Sequence, residues 1–234
     1  MLTEAEFKSV YATGETEPSE FFLDALVNSN HLDLGLGYFS SSGFRALSLG
    51  FAFFIKRGGK MRMIINNILS KEDKTAIIEG TQISPQTLIE ENLIQDIIKL
   101  KDTLSKKDKH FFKCLSWLVA TKRLEVKATI PKKSKVGIVH QKFGLFKDIA
   151  NNKLAFTGST NFSAAALINN VEALWCDFSW MNNLVSDERI AHFEHLFHKT
   201  WTGFSDVVEI IPLEQTQSYI ESVFPVEDLE DLIQ

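Results

Sequence analysis

His140 and Lys142 lie two residues apart in a segment of β-forming residues that runs from 136 to 146. In an extended strand, alternate side chains project from the same face, so an imidazole and a permanent cation would be presented together. The imidazole can attack phosphorus as a nucleophile, and the cation can hold a phosphate oxygen. The spacing therefore predicts a phosphoryl-transfer site built on histidine.

A second polar motif, Gly158 to Asn161, follows a short apolar strand over 154–157 and precedes a helix that we expect over 161–167. In such an arrangement the backbone N–H groups and the helix dipole converge on an anion, and the serine and asparagine of the motif add neutral donors. Alone, this tetrapeptide would indicate an ordinary turn. Combined with His-x-Lys upstream and Glu172 downstream, it indicates an anion site.

The elements that must position these motifs follow from hydrophobic periodicity and from the usual start and stop signals of helices. Pro85, preceded by Ser84, marks the start of one helix, and two glycines at 58 and 59 mark the end of another. We expect strands over 32–39, 61–65 and 125–130, and helices over 44–57, 88–100, 111–122 and 187–202.

The combined motif resembles the signature of the phospholipase D superfamily, which runs His-x-Lys, an aspartate, Gly-Ser-x-Asn, and a glutamate that opens the next strand. The match covers residues 138 to 178, and the upstream strands and helix resemble the same fold more loosely. The resemblance implies an α/β fold, in which helices flank a mixed central sheet, as in phospholipase D-like nucleases that work as homodimers. One position departs from the pattern, because position 147 is lysine and the acid is Asp148.

The resemblance also implies a role for each residue of the motif. His140 would form a covalent phosphohistidine, and Glu172 would orient its imidazole. Lys142, Ser159 and Asn161 would hold the phosphate oxygens. We also carry Asp148 over into the catalytic set. As contacts to the substrate we add Thr160, Lys132, Lys133 and Lys135.

Such a mechanism needs a second histidine that protonates the leaving oxygen and later activates water. The chain contains a single His-x-Lys, so we expect the second histidine to come from another copy across a two-fold axis. We expect one composite active site in a homodimer, with no metal and no cofactor. Three further histidines lie on the polar side of the helix over 187–202, where we expect solvent rather than zinc, namely His192, His195 and His198.

The charge is unevenly distributed. Residues 121–147 carry eight basic residues and one acid, whereas residues 205–234 carry eight acids and no Lys or Arg. The whole chain has a formal charge of −5, so the part before residue 205 carries +3. A basic segment that leads into the active strand would attract a polyanion, and DNA above all.

We divide the chain into a nuclease domain over 1–204, with a polar helical insertion at about 70–110, and an acidic segment over 205–234 that we interpret as a linker. No base-reading module and no Walker motif occurs in the sequence. We therefore expect any helicase or DNA-recognition function to reside in a further domain or subunit. No apolar run approaches the roughly 20 residues that span a bilayer, so we expect a cytoplasmic protein with no membrane contact.

Three functions compete on these grounds. The first is a metal-independent endonuclease that cleaves DNA, as part of a restriction or phage-defence system. The second is a lipid phosphodiesterase or phosphatidyl transferase, although such enzymes usually carry two motifs in one chain. The third is a catalytically silent module for nucleic-acid binding and dimerisation, which the displaced Asp148 permits.

Overall fold

An eight-stranded sheet forms the centre of the part of the molecule that the structure describes. The structure is a computed structural model, and it describes residues 1–37, 42–66, 85–102, 117–133, 139–214 and 218. The strands are β1 Val10–Ala12, β2 His31–Leu36, β3 Lys60–Ile65, β4 Leu124–Pro131, β5 Phe143–Lys147, β6 Lys153–Gly158, β7 Ala173–Phe178 and β8 Val208–Pro212.

The sheet is mixed. Strands β2, β3 and β4 are parallel to one another, whereas β5 pairs with β2 in the antiparallel direction. Strands β6, β7 and β1 continue the antiparallel part on one side, and β8 closes the other side against β4. As a result, the carboxyl ends of β2, β3 and β4 lie at the same edge of the sheet as the amino end of β5. The predicted mixed α/β sheet is confirmed.

Helices cover both faces of this sheet. They are α1 Pro18–Asn28, α2 Ser42–Ala46, α3 Ser48–Lys56, α4 Pro85–Asp102 and α5 Leu184–Trp201. The first four contribute buried side chains to one large core, which is rich in phenylalanine. Helix α5 packs on the other face, where its Ile190, Phe193 and Phe197 meet side chains of β3, β5 and β6. None of the helices in the described ranges is long and apolar enough to cross a membrane.

The predicted helix over 44–57 is broken in two at Leu47, whose backbone (φ −107°, ψ 22°) leaves the helical region. The break lets rings from both pieces reach one buried side chain. Phe44 and Phe51 lie 5.3 and 6.0 Å from the ring of Phe162. Packing against this ring outweighs the helical periodicity of the sequence.

The segment after Gly158 also contains less helix than the sequence predicts over 161–167. Phe162 is inserted into the core with 1% of its surface exposed, and the chain then makes one π-helical turn, Ala165–Asn169. Within this described segment, the helical turn therefore begins after Phe162 rather than at the polar motif, and it is shorter than predicted. The predicted helix over 111–122 is described from residue 117 onward, where 117–120 is helical and 121–122 forms a turn, and residues 111–116 lie outside the described ranges.

Two predicted boundaries change. Helix α4 belongs to the insertion predicted at 70–110, yet its Ile89, Leu93 and Ile97 are buried in the main core. Strand β8 lies inside the acidic segment 205–234 and pairs with β4, so the sheet extends beyond residue 204. The predicted polar insertion and linker both contribute to the folded unit.

Candidate active site

The polar motifs converge at one edge of the sheet. His140 and Lys142 immediately precede β5, Gly158 ends β6, and Glu172 immediately precedes β7. The antiparallel pairing of β5, β6 and β7 brings these three strand ends together. The structure therefore places the two halves of the predicted motif side by side, although residues 139–142 precede the strand that we expected to contain them.

The His-x-Lys pair has the predicted side-by-side geometry. The Nζ atom of Lys142 lies 3.1 Å from Nε2 of His140, and it lies 3.4 Å from the carbonyl oxygen of the same histidine. The two side chains differ in exposure, because His140 is open to solvent whereas Lys142 is 6% exposed. An accessible imidazole is thus held against a largely buried cation.

Burial also changes the titration of Lys142. Removal of the ammonium from water lowers the pKa of Lys142, and the negative charge of Glu172 counteracts this effect in part. The backbone of Lys142 is fixed separately, since its carbonyl oxygen accepts hydrogen bonds from Gly158 N (3.2 Å) and Thr157 Oγ1 (3.0 Å). The end of β6 therefore sets the position of the cation.

Glu172 is buried, with 8% of its surface exposed, and belongs to a hydrogen-bonded network. Its carboxylate accepts a very short hydrogen bond from the hydroxyl of Ser159 and a 3.1 Å bond from Nδ2 of Asn170. Within the described residues of one copy, no hydrogen bond joins this carboxylate to His140. The predicted contact between glutamate and imidazole is therefore not made within this chain.

The backbone of Glu172 is held by the residue that follows β1. Thr13 N donates to the Glu172 carbonyl (3.0 Å), and Glu172 N donates to Thr13 Oγ1 (3.0 Å). This contact was missed by sequence reasoning, because no motif connects positions 13 and 172. The edge strand β1 thus helps to position Glu172. Within the described part of the chain, Glu172 is the only carboxylate of the predicted motif at this end of the sheet.

The neighbouring loop carries the other predicted phosphate ligands. Ser159 is exposed, whereas Thr160 is 2% exposed and its Oγ1 finds no hydrogen-bond partner in the described structure. Asn161 is half-buried. The loop therefore contains a buried hydroxyl that could donate to an anion, next to an exposed hydroxyl already paired with Glu172.

Two residues that follow neighbouring strands lie against the segment that carries His140. Nδ2 of Asn66, a buried side chain just after β3, donates to the carbonyl oxygen of Val139 (2.8 Å). Gly37 follows β2, and a Cβ atom there would lie 3.3 Å from Lys142 Nζ and 3.4 Å from His140. Gly37 was not singled out from the sequence, because it lies inside the strand that was predicted over 32–39, whereas β2 ends at Leu36.

Asp148 lies at the far end of β5, away from His140 and Lys142. Its buried carboxylate accepts hydrogen bonds from Leu2 N, Ala150 N, Asn152 N and Asn152 Nδ2, all between 2.9 and 3.0 Å. Burial alone would raise the pKa of Asp148, but these hydrogen bonds outweigh it and lower the pKa. The structure therefore does not bring Asp148 to the site, and we leave it out of the catalytic set.

The basic segment is split by the sheet. Lys132 and Lys133 are exposed just after β4, at the same edge as His140, and Lys132 Nζ donates to the Ser205 carbonyl (2.7 Å). Lys122, Arg123 and Lys147 lie at the opposite ends of β4 and β5. Among the described residues, only part of the basic segment therefore lies at the edge of the sheet that carries His140. Lys135 lies outside the described residues.

The three histidines of α5 are all exposed, on the side of the helix opposite its apolar face, as predicted. Among the residues that the structure describes, no group of three His, Cys, Asp or Glu side chains is arranged to hold a metal ion. Cys176 is a buried free thiol in the core, and burial raises its pKa.

Comparison with known proteins gave matches among solved structures alone. No family model matches the sequence, and no curated protein matches it. Two matched structures are NucT from Helicobacter pylori and Nuc from Salmonella typhimurium, which is described as a phospholipase D family member. The first is 18% identical, with 87% of this chain and 99% of that chain covered and a TM-score of 0.45. The second is 13% identical, with 82% and 92% covered and a TM-score of 0.45.

A third matched structure is the phosphatidylserine synthase of Haemophilus influenzae. It is 12% identical, with 91% of this chain and 42% of that chain covered and a TM-score of 0.46. The matched proteins thus include chains of similar length to this one and a chain of more than twice its length. At these scores and identities the matches describe what the chain is similar to, and we draw nothing about activity from them.

Proposed function

We propose that this chain is a phosphodiesterase in which His140 attacks phosphorus and becomes a phosphohistidine. The observation that carries the proposal is the 3.1 Å contact between His140 Nε2 and Lys142 Nζ. An ammonium group has donors only, so a hydrogen bond between the two atoms uses the Nε2 lone pair as its acceptor. The same lone pair would attack phosphorus, and it lies beside the cation that would bind a phosphate oxygen.

In the proposed reaction, the Nε2 lone pair of His140 forms a bond to phosphorus while the bond to the leaving oxygen breaks. A second histidine gives its proton to that oxygen, then removes a proton from water. The resulting hydroxide attacks phosphorus and breaks the P–N bond, which restores His140 and releases a phosphate monoester. Lys142 and Ser159, with Thr160 and Asn161 in the same loop, would stabilise the charge on the remaining oxygens.

We propose that the second histidine is His140 of another copy in a homodimer. An apolar surface beside the site supports this, because Val171 directly precedes Glu172 and is 89% exposed. Trp175 on β7 is 52% exposed and lies opposite Val10 of β1, which is 46% exposed. Apolar side chains grouped at a sheet edge commonly mark an interface between proteins.

We propose DNA as the substrate. Lys132 and Lys133 are exposed at the edge of the sheet that carries His140, and the chain before residue 205 carries a net positive charge. Lysine side chains in such a position contact phosphates without regard to base sequence. A role in a restriction or phage-defence system, with a separate helicase or recognition domain, is part of the same proposal and is supported by the sequence resemblance.

The test is nicking of supercoiled plasmid in excess EDTA, with His140→Ala and His192→Ala run in parallel. His192 is an exposed histidine of α5 and serves as the matched control. We expect the wild type and His192→Ala to nick equally, and His140→Ala to lose at least about a thousandfold in rate, as nucleophile removal typically does. An acid-labile phosphorylated histidine should be detected at His140 in the wild type.

Other outcomes would reject parts of the proposal. Strict dependence on a divalent ion would reject the metal-independent scheme. Turnover of a phosphatidyl substrate without nicking would favour the lipid enzyme, and binding of DNA without any turnover would favour the silent module.

The dimer is tested by Trp175→Glu, with Ile149→Glu as control, since Ile149 is 79% exposed in the turn at the opposite end of β5. We expect the first variant to be monomeric and inactive, and the second to behave as the wild type. Adding excess His140→Ala chains to the wild type should suppress activity through mixed dimers. Full activity in such mixtures would show that each copy is self-sufficient.

A further inference from the structure

A cavity of about 330 Å³ lies at the edge of the sheet opposite the candidate active site. It is formed where β2, β3 and β4 begin and β5 ends, with His31, Lys60 and Lys147 on its walls. The strand pairing that brings His140 and Lys142 to one edge of the sheet also brings a second set of strand ends together at the opposite edge. None of the residues of the proposed catalytic set lines this cavity.

The walls of the cavity are strongly basic. Glu125 is the one carboxylate among the lining residues in the described ranges, and it pairs in register with Arg62 on the neighbouring strand. Five permanent cations line the cavity, namely Lys60, Arg62, Lys122, Arg123 and Lys147.

Two of these cations already have partners. Arg62 donates two hydrogen bonds of 2.7 Å to the buried carboxylate of Asp33, and Lys147 forms a 2.8 Å ion pair with Glu194. The other three, Lys60, Lys122 and Arg123, form no ion pair with any residue that the structure describes. After Glu125 is subtracted, the cavity keeps a charge of about two positive units.

Several of these cationic residues are held in place by neighbouring rings or by their own backbone conformation. The guanidinium of Arg123 lies 5.0 Å from the ring centre of Trp117, and that of Arg62 lies 5.0 Å from the ring of Phe197. Lys122 adopts a left-handed backbone conformation, with φ 55°, which lysine rarely adopts. Fixed guanidinium groups beside lysines are the arrangement with which proteins recognise phosphate.

We propose that this cavity binds a phosphate monoester, carried either by a free nucleotide or by the end of a nucleic-acid strand. A monoester dianion matches the excess of about two positive charges, whereas a phosphodiester in the middle of a strand brings one negative charge. The volume is at the lower end of the range for small-molecule sites. This proposal does not rest on the proposed catalytic function, since it uses a different edge of the sheet.

The test is calorimetric titration of the full chain carrying His140→Ala with adenosine 5′-monophosphate, and with adenosine as the uncharged control. Lys60→Gln/Lys122→Gln removes two exposed cations of the cavity, and Lys8→Gln/Lys56→Gln removes two exposed cations that neither line the cavity nor belong to the proposed active site. We expect the nucleotide to bind and adenosine not to bind. The cavity variant should weaken binding at least about tenfold, and the control variant should leave it unchanged.

Because both cavity lysines are exposed, the variant should keep the thermal unfolding midpoint of its parent. Unchanged nucleotide binding in the cavity variant, or no binding by the parent, would overturn the proposal. Loss of binding in Lys8→Gln/Lys56→Gln alone would place the anion outside the cavity and would also overturn the proposal.

The source of the phosphate is resolved by comparing the nucleotide with oligonucleotides that end in a 5′-phosphate or a 5′-hydroxyl. Tighter binding of the phosphorylated oligonucleotide than of the nucleotide would identify a strand end, and equal binding would identify the nucleotide. Equal binding of the phosphorylated and hydroxyl oligonucleotides would overturn recognition of a monoester.

Discussion

Replacing Asp148 with alanine separates a role in folding from a role in chemistry. The carboxylate accepts four hydrogen bonds, and the Leu2 N–H that donates one of them is buried. A buried donor that loses its acceptor costs about 1–3 kcal/mol, whereas water can replace most of the bonds to Ala150 and Asn152. We therefore expect the free energy of unfolding to fall by about 3 kcal/mol, which corresponds to about 6–12 °C in Tm for a chain of this size.

The loss should depend on pH. The folded pKa of Asp148 is below the ordinary value of 3.8, so its stabilisation is fully present above about pH 3.8 and disappears as the pH falls through the folded pKa. Urea unfolding of the wild type and Asp148→Ala should differ by the full amount at pH 7. The two proteins should converge in stability as the carboxyl becomes protonated.

The same preparations should show that Asp148 does not take part in the reaction. We expect kcat for plasmid nicking to change less than about twofold at a temperature at which both proteins remain folded. Asp148→Asn keeps one acceptor oxygen and should lie between the two in stability. A fall of a hundredfold or more in the kcat of folded Asp148→Ala would refute the reasoning, as would an unchanged free energy of unfolding.

Three further predictions concern the catalytic edge and the sheet. Burial lowers the pKa of Lys142, so its ammonium should lose the proton, and KM for DNA should rise, at a pH below the ordinary 10.5. Lys142→Arg should move that rise in KM to higher pH. Gly37→Ala would place a Cβ 3.3 Å from Lys142 Nζ and 3.4 Å from His140, so kcat should fall by about tenfold while the urea midpoint stays unchanged. Truncating the chain before β8 removes Ile211 and Leu213 from the core, which should cost about 4 kcal/mol or more and abolish cooperative unfolding.

Strands and helices with a clear apolar period were predictable from the sequence. The helix that begins at Pro85 was found with its predicted start, and α5 buries the apolar face that its spacing predicts. Prediction was wrong where a single buried ring decides the chain path. Phe162 enters the core before the single helical turn that follows the polar motif, and its ring contacts both pieces of the helix broken at Leu47. Contacts of this kind are not visible in local periodicity.

At the site, the contact between His140 and Lys142 followed directly from their spacing, because two residues are too close in sequence for tertiary structure to separate. The role of Asp148 could not be read in this way. Its partner Leu2 is 146 positions away, and the resemblance to a family motif suggested chemistry for a residue that ties two distant parts of the chain together.

The short edge strand β1 has a consequence for how the candidate site would lose its order on heating. Three residues pair with β7, and the next residue, Thr13, holds both backbone groups of Glu172. An edge of this length opens in local fluctuations that leave the core intact. Amide exchange at Thr13 and Glu172 would then report loss of order at the catalytic edge, and inactivation would precede global unfolding because the outermost strand, rather than the phenylalanine core, sets the thermal limit of the site.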